Sequence, residues 1–290
     1  MAIVKYISSN GIEFDLLSFE RIKLEKANFH KTEWKPETVQ KQYGTTINRF
    51  TKDPLQFDCI FKLKGHPAYR QSKIQAFLFE TEHDIAMQQP GTLYYNNQYI
   101  STYFTKHDTH PVDAGQVWTE VVGTFYSSFP FWIEEAIYSI DPEHFEPLPQ
   151  KPDVKGYPSD RYNRYGYTYS YPYDGNTGRF SLETSFGADY RVVVYGPVAD
   201  HFKMVVNGNN YQVNYPLLSS QKLIIDSRDY LCMNEKCYVE NANGTKINVF
   251  DYRDPSSVLF ERFIGNEAIV HVDKPYRFDI TLFLERSEPL

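Results

Sequence analysis

Along most of this chain apolar residues recur at every second position, and only one stretch changes to helical spacing. Ile12, Phe14 and Leu16 alternate after the turn Ser9-Asn10-Gly11, and Arg21 to Glu25 alternates again. Phe29 to Arg49 is polar and charged, broken by Pro36 and Gly44, which predicts a long exposed hairpin with little core of its own. Leu55, Phe57, Cys59, Phe61 and Leu63 then keep a strict period of two, the signature of a half-buried strand. The helix follows over Pro67 to Ala86. Proline is tolerated in a first turn, Ile74, Phe77, Leu78 and Ile85 fall at helical spacing, and Gln89-Pro90-Gly91 ends the run. Its other face is expected to carry Arg70, Lys73, Glu80 and Glu82. Leu93-Tyr94-Tyr95 and Gln98 to Phe104 flank Asn96-Asn97 as a hairpin, and a strand is expected over Trp118 to Phe125.

Residues 141–158 hold Pro142, Pro147, Pro149, Pro152 and Pro158, which neither a helix nor a central strand accommodates, so this segment reads as a linker. It divides a domain over residues 1–140 from a second over 159–290. The second half is strand and turn. Tyr165, Tyr167, Tyr169, Tyr171 and Tyr173 would share one face of a strand. Arg191 to Tyr195, Leu223 to Asp226, Ala268 to Val272 and Phe278 to Leu284 are further strands. Asn207-Gly208 and Asn243-Gly244 mark turns. The expected class is mainly β with one main α-helix, and a sandwich in the second half.

Length and composition agree with two ordinary domains: 290 residues, 41% hydrophobic. No apolar run approaches the ~18 residues of a membrane span, so no membrane partner is expected. The first residues enter strand-like alternation without a basic, apolar leader, which predicts a chain made and assembled in a cytoplasm. A net charge of -7 without basic clusters argues against sequence-specific nucleic-acid binding. The 24 Tyr and 21 Phe suit sheets and contact surfaces. Cys59, Cys232 and Cys237 follow no framework spacing. Cys232 and Cys237 could face each other across a hairpin loop, but two small buried thiols are the favoured reading.

Residue types with catalytic potential do not gather at a recognisable spacing. Glu134 with Glu135, Asp53 with Asp58, and Glu80 with Glu82 and Asp84 could suggest glycoside hydrolysis. Neighbours in a strand point to opposite faces, however, and the helix acids are expected on the solvated side. His107 and His110 read as loop histidines, and no phosphate loop, nucleophile elbow or zinc helix occurs. No catalytic, cofactor or metal site is expected, and the chain reads as a structural protein, not an enzyme. The tyrosine run could be a packed strand, a protein-binding arm or a sugar platform.

The order of elements resembles the distal tail protein family of siphophages that infect Gram-positive bacteria. The resemblance is carried by the polar hairpin before a single helix, Gly91-Thr92-Leu93 with Tyr99-Ile100, and a strand into Pro130-Phe131-Trp132. Tyr195-Gly196-Pro197, Val206-Asn207-Gly208 with Tyr211, Leu223-Ile224-Ile225-Asp226-Ser227 and Glu285-Arg286-Ser287-Glu288-Pro289 continue it. It implies an N-terminal sandwich or split-barrel-like domain and a C-terminal galectin-like sandwich. It also implies a hexameric ring of this chain at the phage tail tip. The ring would join the tail tube protein to a tail-associated lysin, fibre or receptor-binding protein around a channel for DNA. Carried over, the ring contact falls on Phe29, Trp34, Tyr43, Ile47 and Phe50, with Arg70 and Lys73 on the adjacent helix. Tyr162, Tyr165, Tyr167, Tyr169, Tyr171 and Tyr173 are candidate adhesin contacts. Sugar-binding galectins stack galactose on tryptophan, whereas Trp34, Trp118 and Trp132 all precede the linker. The sandwich is therefore expected to attach or space, not to bind galactose. A carbohydrate-binding module using Tyr165 to Tyr173 is the alternative, and a glycoside hydrolase a more remote one.

Overall fold

The computed structural model describes residues 3–18, 22–109, 118–140, 177–182, 187–229, 231–274 and 276–290. The Pro-rich segment 141–158, His110 and all of the candidate tyrosines from Tyr162 to Tyr173 lie outside these residues. The chain forms two compact units, Met1–Glu134 with Glu285–Leu290, and Glu135–Leu284. The last six residues thus belong with the first unit. Thr32 Oγ1 donates to the Ser287 carbonyl at 2.8 Å, the Leu290 amide to Gln98 Oε1 at 2.9 Å, and Arg286 pairs with Glu134 at 3.2 Å.

The first unit is built on two antiparallel arrays that share one strand. β1 (Val4–Ile7) lies between β2 (Glu13–Asp15) and β7 (Gly91–Tyr95), and β7 pairs with the first half of β8 (Gln98–Thr109). β3 (Lys23–Ala27) pairs with β6 (Leu55–Lys64), β6 with β9 (Trp118–Ser127), and β9 with the second half of β8. A register shift between Phe104 and Lys106 lets β8 serve both arrays, as bulges that bend strands commonly do. The start of β10 (Trp132–Ile140) adds to β8 through Ile133 and Glu134. The alternation expected in β6 is realised: Leu55, Phe57, Cys59, Phe61 and Leu63 are all inward. α1 (Pro67–Ala86) lays Ile74 and Phe77 on this core. Around them gather Tyr6, Phe61, Phe104 and Phe125, with ring centroids of neighbouring pairs 5.0–6.4 Å apart. Each such buried side chain contributes about 1.5–3 kcal/mol.

The buried stripe of α1 runs Arg70, Ile74, Phe77, Thr81, Asp84, at steps of four, three, four and three. That spacing corrects two expectations. Arg70 is fully buried instead of solvated, and so is Asp84, because both fall on the stripe that carries Ile74 and Phe77. Asp84 is satisfied there: Tyr6 donates its hydroxyl to Oδ2 at 2.5 Å, and the Ser9 amide and hydroxyl donate to Oδ1 at 2.8 and 2.6 Å. Burial and the adjacent carboxylate push the Tyr6 phenol well above its ordinary pKa. Ile85, one step past the stripe, is exposed instead of buried.

The second unit is a sandwich. One antiparallel sheet has the order β17 (Lys246–Asn248), β16 (Cys237–Glu240), β15 (Lys222–Asp226), β12 (Ala188–Tyr195) and β19 (Arg277–Arg286). The other runs β11 (Thr177–Ser181), β18 (Glu267–Val272), β13 (Phe202–Val206), β14 (Asn209–Val213). Val192, Val194, Leu223, Ile225, Phe278 and Ile280 of the first sheet share one core with Phe202, Met204, Val206, Tyr211 and Val270 of the second. Asn207 and Gly208 have φ of 51° and 87°, the left-handed values that a two-residue hairpin turn requires. The cysteines differ from one expectation. Met233–Lys236 forms the short helix α2, and Cys232, expected to be buried like Cys237, is exposed, while Cys237 is buried.

Candidate assembly surface

The feature the core does not absorb is the predicted polar hairpin. β4 (Lys35–Lys41) and β5 (Gly44–Thr51) pair only with each other among the described residues, and from Lys35 to Phe50 every residue is exposed. An isolated two-stranded ribbon is marginal in water, so cross-strand pairs and a fixed root must hold it. Arg49 grips Glu37 through two bonds, Nε to Oε2 at 2.6 Å and Nη2 to Oε1 at 3.0 Å, and Lys35 pairs with Asp53 at the base. Arg49 and Glu37 each hold the other in its charged form, and the Asp53 carboxylate raises the pKa of Lys35.

The root is a cation held among aromatic rings. Lys52 Nζ lies 4.5 Å from the ring centroid of Phe131 and 5.2 Å from that of Trp34, and it donates to the Pro130 carbonyl at 2.9 Å. Burial lowers the Lys52 pKa, partly countered by the carboxylates of Glu288 and Glu285. A desolvated ammonium over two rings gains on the order of 2 kcal/mol. Trp34, an expected contact residue, thus anchors the base of the hairpin.

Register gives the ribbon two unlike faces. Lys35, Glu37, Val39 and Lys41 point one way on β4, with Arg49 opposite Glu37. Pro36 opposite Phe50, Thr38 opposite Ile47 and Gln40 opposite Thr45 make the other face, which carries no charge. The register shift between Glu37 and Thr38 leaves Asn48 as the extra residue on β5. This bulge is what brings Ile47 and Phe50, three residues apart, onto one face. Ile47 is 51% and Phe50 55% exposed, and Tyr43, in the turn, is 91% exposed.

Three of the seven expected contact residues therefore lie on the exposed hairpin. Phe29 does not: it is buried against Phe57, Tyr95 and Trp132, at centroid distances of 5.7–5.8 Å, because it precedes the hairpin and enters the core. Arg70 is likewise internal, and Lys73 lies half-buried with its ammonium 5.3 Å from the Tyr69 ring. The sequence reading missed Phe79, which stands 68% exposed on α1. Its offset of two residues from buried Phe77 was the available signal.

The suspected acid and histidine sites are dispersed. Glu134 is held by Arg286, Asn97 and Gln98, Asp58 by Thr124, and Glu80 by Ser8 and Asn10. His107 is a strand residue of β8 instead of a loop residue, stacked on Phe104 at 6.3 Å. Among the described residues no three His, Cys, Asp or Glu side chains gather as metal ligands, and no helix is long and apolar enough to cross a membrane.

A mainly β chain with one long helix, a bare ribbon and a second sandwich unit has the fold of phage tail hub proteins. The chain is similar over 99% of its length to 99% of the distal tail (Dit) protein of phage SPP1, a paradigm of the hub adsorption apparatus of phages infecting Gram-positive bacteria, with a TM-score of 0.61 and 9% identity. It is similar over its whole length to a whole chain of the phage P2 baseplate in its activated conformation with Ca, with a TM-score of 0.60 and 10% identity. The p2 baseplate in its activated conformation with Sr gives 0.56 and 11%, over 97% of this chain and 98% of that one. Neither a protein-family model nor a curated protein matches the chain by sequence.

Proposed function

We propose that this chain is a structural component of a phage tail tip: a distal tail hub protein that closes into a hexameric ring. The ring joins the tail tube to the tail-associated or receptor-binding proteins and leaves a central channel for DNA. The observation that carries this reading is the ribbon Lys35–Thr51, bare in the single chain, on a fold shared end to end with phage hub and baseplate proteins. A ring needs a head-to-tail contact between two different surfaces that closes on itself, and a projecting arm supplies one half of it. The acidic balance of the chain suits a channel through which DNA passes without sticking.

The second unit, read as a galectin-like sandwich, serves as an attachment module in this proposal. Its part of the sequence, from residue 135 onward, contains no tryptophan on which a galactose ring could stack. The candidate tyrosines from Tyr162 to Tyr173 belong to the same stretch of sequence and are assigned to adhesin contact. Assembly takes place in the host cytoplasm and the product resides in the virion. Light scattering of the purified chain over a concentration series tests the ring. A mass of six chains, lost when residues 36–50 are replaced by a short turn, is the expected result. A monomer at every concentration, with or without the hairpin, overturns self-assembly.

A further inference from the structure

Arg70 is fully buried, and among the described residues nothing accepts a hydrogen bond from its Nε, Nη1 or Nη2. Asp84, on the same stripe of α1, is a satisfied charge by contrast, with three donors on its two oxygens. A buried charge left alone is strongly destabilising, and a guanidinium does not answer burial by shedding its proton. Physical chemistry therefore asks for an anion beside Arg70.

The surroundings supply donors. Arg70 is the fourth residue of α1, and helical side chains lean towards the N-terminus, so the guanidinium overlies the first turn. No side chain caps that turn and no acidic residue stands in it, which leaves the positive end of a 20-residue helix uncompensated there. The opposite wall belongs to β9. Ile74, one turn on from Arg70, meets Leu63 and Val121 around a cavity of about 10 Å³. Thr119 is paired with Leu63, lies two residues before Val121 and shares its inward face. Only Gly65 and His66 separate β6 from α1, so the helix start and Thr119 lie at the same end of the core. Thr119 Oγ1 is buried too and has no partner among the described residues, although it could accept from a guanidinium.

We infer that this end of the first unit's core binds a small anion of chloride size, held by the Arg70 guanidinium, the Thr119 hydroxyl and the first turn of α1. The neighbouring cavity is about the size of one water molecule, and packing this tight selects a monatomic ion over phosphate. The ion pins the start of α1 to β6 and β9. The inference is independent of the ring reading.

The test compares the full chain in sodium chloride and in sodium gluconate at equal ionic strength, gluconate being too large for the site. Chloride about tenfold above its Kd should raise the melting temperature of the first unit, followed by tryptophan fluorescence, by about 4 °C. Arg70→Met removes the charge and keeps the bulk. It should melt alike in both salts, and in gluconate no lower than wild type. Thr119→Val should lose part of the chloride shift, whereas Lys73→Met, on the same helix but half-buried outside the site, should keep all of it. A crystal grown in sodium bromide should show an anomalous peak within hydrogen-bond reach of Arg70 and Thr119. Equal melting of the wild type in both salts, with bromide on the surface alone, would overturn the site. A chloride shift retained by folded Arg70→Met would overturn it too, by assigning the shift to other cations. Stabilisation by phosphate and none by chloride would overturn the size argument. If Arg70→Met does not fold, the bromide peak and Thr119→Val decide.

Discussion

Replacing Gly91 by alanine isolates the contact that fixes α1 against β1. A methyl on Gly91 would fall on the hydroxyl oxygen and Cζ of Tyr6 and within 2.8 Å of its Cε2. Tyr6 has little room to retreat: its ring lies 5.5 Å from Phe125 and 5.9 Å from Phe77, and its hydroxyl is hydrogen-bonded to buried Asp84. Overpacking a well-filled core costs about 1–3 kcal/mol. If Tyr6 swings away, the bond to the carboxylate is lost as well, a further ~1.5–3 kcal/mol. Together these predict a loss of roughly 2.5–6 kcal/mol, which at a urea slope of about 2–3 kcal/mol per molar lowers the first unit's midpoint by roughly 1–3 M. The assay is urea unfolding followed by tryptophan fluorescence, since all three tryptophans belong to the first unit. The double variant Gly91→Ala/Tyr6→Phe removes the nearest clashing atom and should cost less than the sum of the single changes. A Gly91→Ala midpoint equal to wild type would refute the packing argument. Strict additivity with Tyr6→Phe would refute the assignment of the clash to the tyrosine hydroxyl.

The other expectations are narrower. Asp226 is buried, which raises its pKa, but Arg228 and Arg191 donate to it at 2.7–2.9 Å and the net shift is downward. Its contribution is therefore complete above the unfolded value near ~3.9 and is lost as pH falls through the lower folded value. Asp226→Asn should cost about 1–3 kcal/mol at neutral pH and flatten the acid loss of the second unit, and parallel acid slopes for variant and wild type would contradict this. Burial pushes the Cys59 and Cys237 thiols up to about 12, whereas Cys232 is exposed. A thiol reagent should modify one cysteine in the native protein and three after unfolding; two fast sites would show that one burial is misassigned. The Lys274 ammonium, 2.6 Å from Asp200, holds that carboxyl at about 2. Lys274→Ala should move its titration, read by NMR, up towards the ordinary carboxylate value, and an unmoved titration would refute the pairing.

Much of the fold was legible because its signals are local. The alternation of Leu55 to Leu63 places five side chains inward whatever lies beyond, and Asn207-Gly208 defines its turn through the left-handed angles both residues tolerate. The charge pattern from Phe29 to Arg49 likewise announces an arm without a core, since such a segment cannot bury enough apolar area to fold inward. Helix amphipathicity was legible only in part. Ile74 and Phe77 mark the buried stripe, but reading charge as exposure misplaced Arg70 and Asp84. Whether a polar side chain can be buried depends on a partner distant in sequence, as Tyr6 is for Asp84.

What only the tertiary structure decided is which face each exposed residue occupies. A period of two would put Ile47 and Phe50 on opposite sides of β5, and the bulge at Asn48, a property of register between two strands, puts them on the same side. Phe29 and Phe50 are alike in sequence at the ends of a polar stretch, yet Phe29 is sealed against Trp132 and Phe50 stands in solvent. Phe79 stands out on α1 only once the core has claimed Phe77. The sequence by itself determined that this chain makes sheets, one helix and a bare arm, because those follow from side-chain period and turn chemistry. The surface left for assembly is whatever long-range packing does not consume.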